Sequence, residues 1–452
     1  MPMQHARRLW IKAPAATLEP SYAGGIVITG STISELIPAG ASPSSPVDEV
    51  FDAAEHVLLP GLINAHHHFY QTLTRAFPAA LNKELFPWLK SLYPVWAELS
   101  QEMVEVSTQI ALAELLLSGC TTASDHHYLF PRGLEEAIDI QMAQAERLGV
   151  RVHLTRGSMS LGEDDGGLPP QKTVQEEEVI LADSERLIKR YHQSDDGAMR
   201  RVALAPCSPF SVSEALMKAS AGLAEQYGVR LHTHLAETHD ETEFCQQMFG
   251  LRPVDYLEKV GWLNNKVWLA HGIHFNDEEI QRLGRNGVGI CHCPSSNMLL
   301  ASGQCPTLDL EAAGSPVGLG VDGSASNDCS NMIQEVRQAL LLQRLRYGAS
   351  KITHQKVLDW ATRGSAACLG RDDIGTIAPG KQADFALFRL DALRFAGAGD
   401  PLAALVLCGA DQADRMMVAG EWRVKDGEVA GLDLKRLMAR QRELAAQLAA
   451  TV

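Results

Sequence analysis

Basic residues are the scarcer charge in this chain: 40 Lys and Arg stand against 55 Asp and Glu, giving a net charge of -15 and a pI near 5.5. That balance argues against an extended footprint for nucleic acid or an anionic membrane, and makes a small molecule the expected partner. Long apolar runs are also missing. The longest, Ile110–Leu117, contains Glu114 and falls far short of the roughly 20 residues needed to span a bilayer. Met1–Lys12 has basic residues without the apolar stretch of a secretory leader, so a cytoplasmic location is expected. The 9 cysteines are odd in number and widely spaced, and read as reduced thiols. No G-x-G-x-x-G follows an early strand, which disfavours an open doubly wound sheet.

What is present is ordinary globular material. Across 452 residues, 46% are hydrophobic and 21% charged, enough for one large barrel with appendages. Short β-like runs with turn residues occupy the first sixty positions: Arg8–Lys12, Gly25–Ile37 and Val50–Leu59. Similar runs return near the end, at Ala383–Leu390, Ala404–Cys408 and Arg415–Val429. The ends therefore predict a composite β-sandwich domain, residues 1–59 and 375–452, against which a final helix, Leu432–Ala450, should pack. In between, eight apolar runs alternate with amphipathic stretches: Val57–Asn64, Thr121–Asp125, Val150–Thr155, Arg201–Ala205, Val229–His234, Val267–His271, Val288–Cys293 and Val317–Asp322. Eightfold alternation predicts an α/β fold, a (β/α)8 TIM barrel over residues 60–374.

Barrel enzymes build their sites at the C-terminal ends of the strands, and metal-capable residues fall at those ends here. The first run ends in Asn64-Ala65-His66-His67-His68, where period-two alternation puts His66 and His68 on one face and His67 on the other. The fifth ends in His232-Thr233-His234-Leu235-Ala236-Glu237, the sixth in Ala270-His271 and the eighth in Val321-Asp322-Gly323. Alone, an H-x-H is weak, and Asp322 before Gly323-Ser324 can serve as a helix cap. Together, imidazoles and a carboxylate on separate strand ends suit Zn²⁺ with one position open, and Fe²⁺ fits the same donors.

The segments PGLINAHHH (60–68), HTHLAE (232–237), LAHGIHF (269–275), HCPSSNMLLASG (292–303) and GVDGSASND (320–328) resemble the amidohydrolase superfamily, in particular its mononuclear aminohydrolases. The resemblance implies that His66, His68, His234 and Asp322 bind one metal, that Glu237 shuttles protons, and that His271, with Asp322, orients the hydrolytic water. It also implies that Gln71 meets a purine edge, Trp88 forms an aromatic lid and Arg156 contacts a purine carbonyl. The binuclear branch needs a lysine at the end of the fourth strand, where this chain reads Ala205-Pro206-Cys207. The thiolate-ligated deaminases need P-C-x-x-C, which is absent too.

INAHHHFYQTLTRA, SGCTTASDHHYLFP and RGSMSLGEDDGGLPP look most like the 8-oxoguanine deaminases, with portions shared by hydroxyatrazine-type triazine hydrolases. The implied activity is hydrolytic deamination of 8-oxoguanine to urate and ammonia, with hydrolysis of the amine of a hydroxyatrazine-type triazine, or guanine or isocytosine deamination, as alternatives. A cyclic amide hydrolase or a non-catalytic relative is a reading of another class; the missing lysine disfavours the first and the complete ligand set the second. His126 and His127 point opposite ways, so at most one faces the site, and the acidic segment 162–170 reads as a solvated loop. A homo-oligomer is compatible with the sequence.

Overall fold

The computed structural model describes residues 6–451; residues 1–5 and 452, the extremes of the predicted composite domain, lie outside them. Eight parallel strands form the central sheet: β1 Leu62–Asn64, β2 Cys120–His127, β3 Arg151–Ser158, β4 Arg200–Pro206, β5 Leu231–Leu235, β6 Val267–His271, β7 Gly289–His292 and β8 Val317–Leu319. They neighbour one another in chain order. The ring closes where β8 returns to β1. Ala65 N donates to Leu319 O (3.0 Å), Val321 N to Asn64 Oδ1 (2.9 Å) and Asp322 N to His66 O (3.1 Å). This is the predicted barrel, and its closing seam passes through two of the predicted ligands.

The first run does double duty. His56–Pro60 belongs to a six-stranded sheet with Phe385–Arg389 and Arg415–Val418, whereas Leu62–Asn64 enters the barrel. Gly61 is the pivot, since a Cβ there would lie 2.1 Å from the Thr121 hydroxyl. A second, four-stranded sheet is built from Arg8–Lys12, Gly25–Thr29, Thr32–Ile37 and Glu49–Asp52, and Leu9, Ile11, Ile26, Phe385 and Met417 share one apolar core between the sheets.

Two expectations are corrected. Ala404–Cys408 lies largely in a helix, Pro401–Leu407, started by Asp400, whose side chain accepts from Ala403 N. Its apolar run was too short to separate strand from buried helix, but Asp-Pro at a helix start is the usual N-cap and N1 pair. The final helix, Leu434–Ala449, packs on the barrel rather than on the terminal sheets. It lies against helix Gln101–Leu117 and the turn Phe69–Thr74, with Gln441 Nε2 donating to Thr72 Oγ1 at 3.0 Å and Arg440 pairing with Glu102 at 2.7 Å.

Among the described residues no helix is long and apolar enough to cross a membrane. All nine cysteines are free thiols, as read from the sequence, and seven of them are buried.

Candidate functional site

His66, His68, His234 and Asp322 each bring one donor atom to a common point, all within 4.8 Å of one another. Their hydrogen bonds decide which atoms are presented. His68 Nδ1 lies 2.7 Å from His126 O and His234 Nδ1 lies 2.7 Å from Cys207 O. A carbonyl oxygen only accepts, so each Nδ1 carries the proton and each Nε2 a lone pair. His66 is set at one remove. His232 Nδ1 donates to Trp268 O (2.8 Å), which makes His232 Nε2 an acceptor for His66 Nδ1–H (2.8 Å). Burial pushes His66 and His232 well below the usual imidazole range and His234 down to about 3, so these rings are neutral.

The result is an arrangement of acceptors without donors. His66 Nε2 is buried with no hydrogen-bond partner. It stands 3.2 Å from Asp322 Oδ1; His68 Nε2 stands 3.3 Å from the same oxygen and 3.2 Å from His234 Nε2. Lone pairs facing lone pairs at such distances repel, and a cation among them turns each repulsion into a bond. Three imidazole nitrogens and a carboxylate are a fitting donor set for zinc.

Beside this cluster sit the predicted acid–base groups. His271 Nε2 is 3.5 Å from Glu237 Oε2 and 3.8 Å from Asp322 Oδ2, while its Nδ1 bonds Asn297 Oδ1 at 2.9 Å. Burial raises the Glu237 carboxyl above its ordinary range. Burial works against a charged His271, yet Glu237 and Asp322 raise it on balance. Ala236, His271 and Asp322 all adopt left-handed backbone, with φ of +54°, +70° and +62°. Such conformations cost about 1–3 kcal/mol each for non-glycine residues and concentrate at functional sites.

These groups form one wall of a small cavity of about 30 Å³. Leu85, Trp88, Leu89, Tyr93, Tyr128 and Phe210 supply much of the rest. Gln71 is in the lining, its Oε1 accepting from Ala325 N at 3.3 Å. A side chain on Gly323 would collide with that amide, a Cβ coming 1.8 Å from its oxygen. Trp88 offers its ring, since its Nε1–H is used on Ala325 O at 3.1 Å. Phe86 is set back against Phe210, and Trp96 is a core residue packed on Tyr70.

Arg156 is the site residue that the structure takes away. It does not line the cavity, and its guanidinium is consumed by Asp183 (2.9 Å), Gln175 (3.0 Å) and Gly157 O (2.6 Å) while covering the Phe130 ring. The cause is strand phase. His153 on β3 turns inward against Trp268, so Arg156, three residues on, faces the helix Glu177–Tyr191 that carries Asp183. Its contact is a buried ion pair in the barrel wall.

His126 and His127 are both buried and donate to Ala205 O and Leu129 O. His67 turns away, its Nδ1 accepting from His68 N at 2.7 Å. In segment 162–170 Glu163, Asp164 and Asp165 are solvated as expected, and Leu168 N donates to Phe210 O. Sequence reasoning did not single out His232, Asn297, Tyr128 or Glu241; the first two act on partners distant in the chain, with the H-x-H at 232–234 as a signal, whereas Glu241 acts on Ala236 and Glu237 just before it, where a glutamate at the third helix position was the signal.

Residues 57–423 match the amidohydrolase family. Over 446 residues the chain is 66% identical to the 8-oxoguanine deaminase of Pseudomonas aeruginosa, covering 98% of this chain and 99% of that one. It is 38% identical over 408 residues to the hydroxydechloroatrazine ethylaminohydrolase of a Pseudomonas species, covering 88% and 84%. The crystal structure of an atrazine chlorohydrolase from Arthrobacter aurescens TC1, complexed with zinc, superposes with a TM-score of 0.92 at 31% identity over 97% and 100% of the two chains. With the match running from residue 57 to 423 through the whole barrel, and relatives aligned over most of their length, the chain belongs to the amidohydrolase family.

Proposed function

We propose that this chain is a zinc-dependent hydrolytic deaminase converting 8-oxoguanine and water to urate and ammonia, with one zinc ion held by His66, His68, His234 and Asp322. The observation that carries the reading is the convergence of three imidazole lone pairs and a carboxylate, with no donor among them, beside a buried Glu237–His271 pair. A zinc ion held there supplies Lewis acidity that lowers the pKa of water toward about 7. The identity with the Pseudomonas aeruginosa enzyme supports the choice of substrate. The same reading places catalysis in residues 60–374, with the terminal strands as a supporting unit.

His271, Glu237 and Asp322 bracket the position from which water attacks C2 of the ring. Asp322 accepts the proton that the water loses as its oxygen bonds to C2. Glu237, whose carboxyl burial raises above its ordinary range, gives a proton to the adjacent ring nitrogen, which makes C2 electrophilic. It then takes the proton left on the C2 hydroxyl and passes it to the amine; the C2–N bond breaks, ammonia leaves, C2=O remains in urate, and the proton held by Asp322 returns to Glu237. Asn297 fixes the orientation of His271. Gln71, its oxygen engaged by Ala325 N, has amide N–H groups left for an acceptor on the purine edge, and Trp88 gives the planar ring a face to stack on.

Gln71→Ala tests the substrate assignment separately from the metal. kcat/KM for 8-oxoguanine should fall about tenfold with zinc content unchanged, as expected when one hydrogen bond to substrate is lost. An unchanged kcat/KM removes Gln71 from the binding site.

A further inference from the structure

Glu237 reaches the cavity from a loop whose backbone is held from both sides. Ala236, with φ +54°, is the turning point between β5 and helix His239–Phe249. Its carbonyl accepts from Ile273 N and His274 N, both at 2.9 Å, which ties the loop to the segment after His271. Its N–H donates to Glu241 Oε1 at 2.7 Å, and the N–H of Glu237 itself donates to Glu241 Oε2 at 3.1 Å. Both oxygens of one carboxyl group are thus spent on two consecutive amides.

Helix chemistry makes this placement unusual. Glu241 is the third residue of its helix, where a glutamate ordinarily folds back to the N-cap N–H while the N-cap side chain caps the third residue. The N-cap here is Thr238, which makes no side-chain cap bond and leaves its hydroxyl buried without a partner. By contrast, Asn276 and Glu279 form the full reciprocal box on helix Asp277–Arg285. Glu241 has reached past the cap to the two peptides before it. It is fully buried, and that burial raises its carboxyl to about 7.

We infer that Glu241 is a positioning residue for the deamination: by gripping the amides of Ala236 and Glu237 it fixes the Glu237 carboxyl against His271 at the reacting centre. Glu241 itself is not in the lining of the cavity, and its side-chain hydrogen bonds go to the amides of Ala236 and Glu237 alone. The inference rests on the reading of Glu237 as the proton carrier, and the test separates the two.

The experiment is a double-mutant cycle in the zinc-loaded enzyme with 8-oxoguanine as substrate, reading kcat, KM and bound zinc for Glu237→Gln, Glu241→Gln and the pair. Glutamine at 241 keeps the shape but has one accepting oxygen, so one of the two amides loses its partner. Glu241→Gln should lower kcat by about 10- to 100-fold, the scale of a small misplacement of a reacting group, with KM within about twofold and zinc retained. In the Glu237→Gln background the same change should have almost no further effect on kcat, because the group it positions is gone. Equal losses in both backgrounds, or wild-type kcat in Glu241→Gln, overturn the positioning role. Near-wild-type kcat in Glu237→Gln alone overturns the proton-carrier reading, and this inference with it. Should Glu241→Gln fail to fold, Glu241→Asp, which keeps the charge and withdraws the oxygens by one methylene, runs the same cycle with the same criteria.

Discussion

Replacing His232 by phenylalanine should weaken zinc binding although His232 is not a proposed ligand. His232 relays a backbone constraint: Trp268 O fixes its proton on Nδ1, and its Nε2 then fixes the proton of His66 on Nδ1, leaving His66 Nε2 as a lone pair. Phenylalanine preserves the stacking on Trp268, where the rings lie 4.4 Å apart and 15° from parallel, and removes only the relay. The His66 N–H then has no acceptor in a fully buried place, a cost of about 1–3 kcal/mol. His66 escapes it by moving its proton to Nε2, which removes a donor from the metal cluster. At 1.4 kcal/mol per tenfold, this corresponds to a loss of zinc affinity of about 10- to 100-fold, the range typical for groups that orient metal ligands. Competition for zinc against a coloured chelator gives the affinity, and thermal unfolding of the zinc-free proteins reports any general damage. Zinc affinity within twofold of wild type would show that the relay does not set the His66 tautomer.

Glu237→Gln should reduce kcat by about 10² to 10⁴ with zinc retained, measured by ammonia release beside metal analysis; full turnover contradicts its acid–base role. Arg156→Ala should act on stability rather than on substrate. Loss of the buried pair with Asp183 should cost about 3 kcal/mol, at the low end because Asp183 keeps Arg186, with KM unchanged in the folded enzyme; a raised KM with unaltered melting would return Arg156 to the cavity. Burial raises the Glu335 carboxyl to about 7 even though it accepts from Ser295 and Asn327. A carboxyl raised on folding stabilises fully below its unfolded pKa and loses that contribution as pH rises through about 7, so between pH 5 and pH 8 wild type should lose stability relative to Glu335→Gln by on the order of 3 kcal/mol. Urea unfolding of both proteins at the two pH values measures this, and parallel behaviour refutes it.

The barrel and the convergence of His66, His68, His234 and Asp322 were legible because both rest on strand periodicity and strand ends. Alternation alone put His66 and His68 on one face and His67 on the other, and strand ends are where barrels place chemistry. Arg156 was misassigned because β3 is buried on both faces, so no polar alternation marks which side looks into the barrel. Ala404–Cys408 reads as strand because five apolar residues fit either state, and the decisive signal for the helix Pro401–Leu407 is the Asp-Pro before them. The docking of Leu434–Ala449 on the barrel depends on Gln441 meeting Thr72, a contact no local pattern announces. The same holds for much of the support of the site: Asn297 behind His271 and His232 behind His66 are contacts between different turns of the chain, whereas Glu241 lies four residues past Glu237 but leaves the capping position that its place in the helix suggests.

The central claim is that the cluster around His66, His68, His234 and Asp322 serves the hydrolysis of an amine from 8-oxoguanine. It is tested most directly by incubating the zinc-loaded protein with 8-oxoguanine and following urate and ammonia together. Equal amounts of the two, with both lost on stripping the zinc and regained on restoring it, is the predicted result. Rapid release of amine from hydroxytriazines, with 8-oxoguanine left intact, would contradict it.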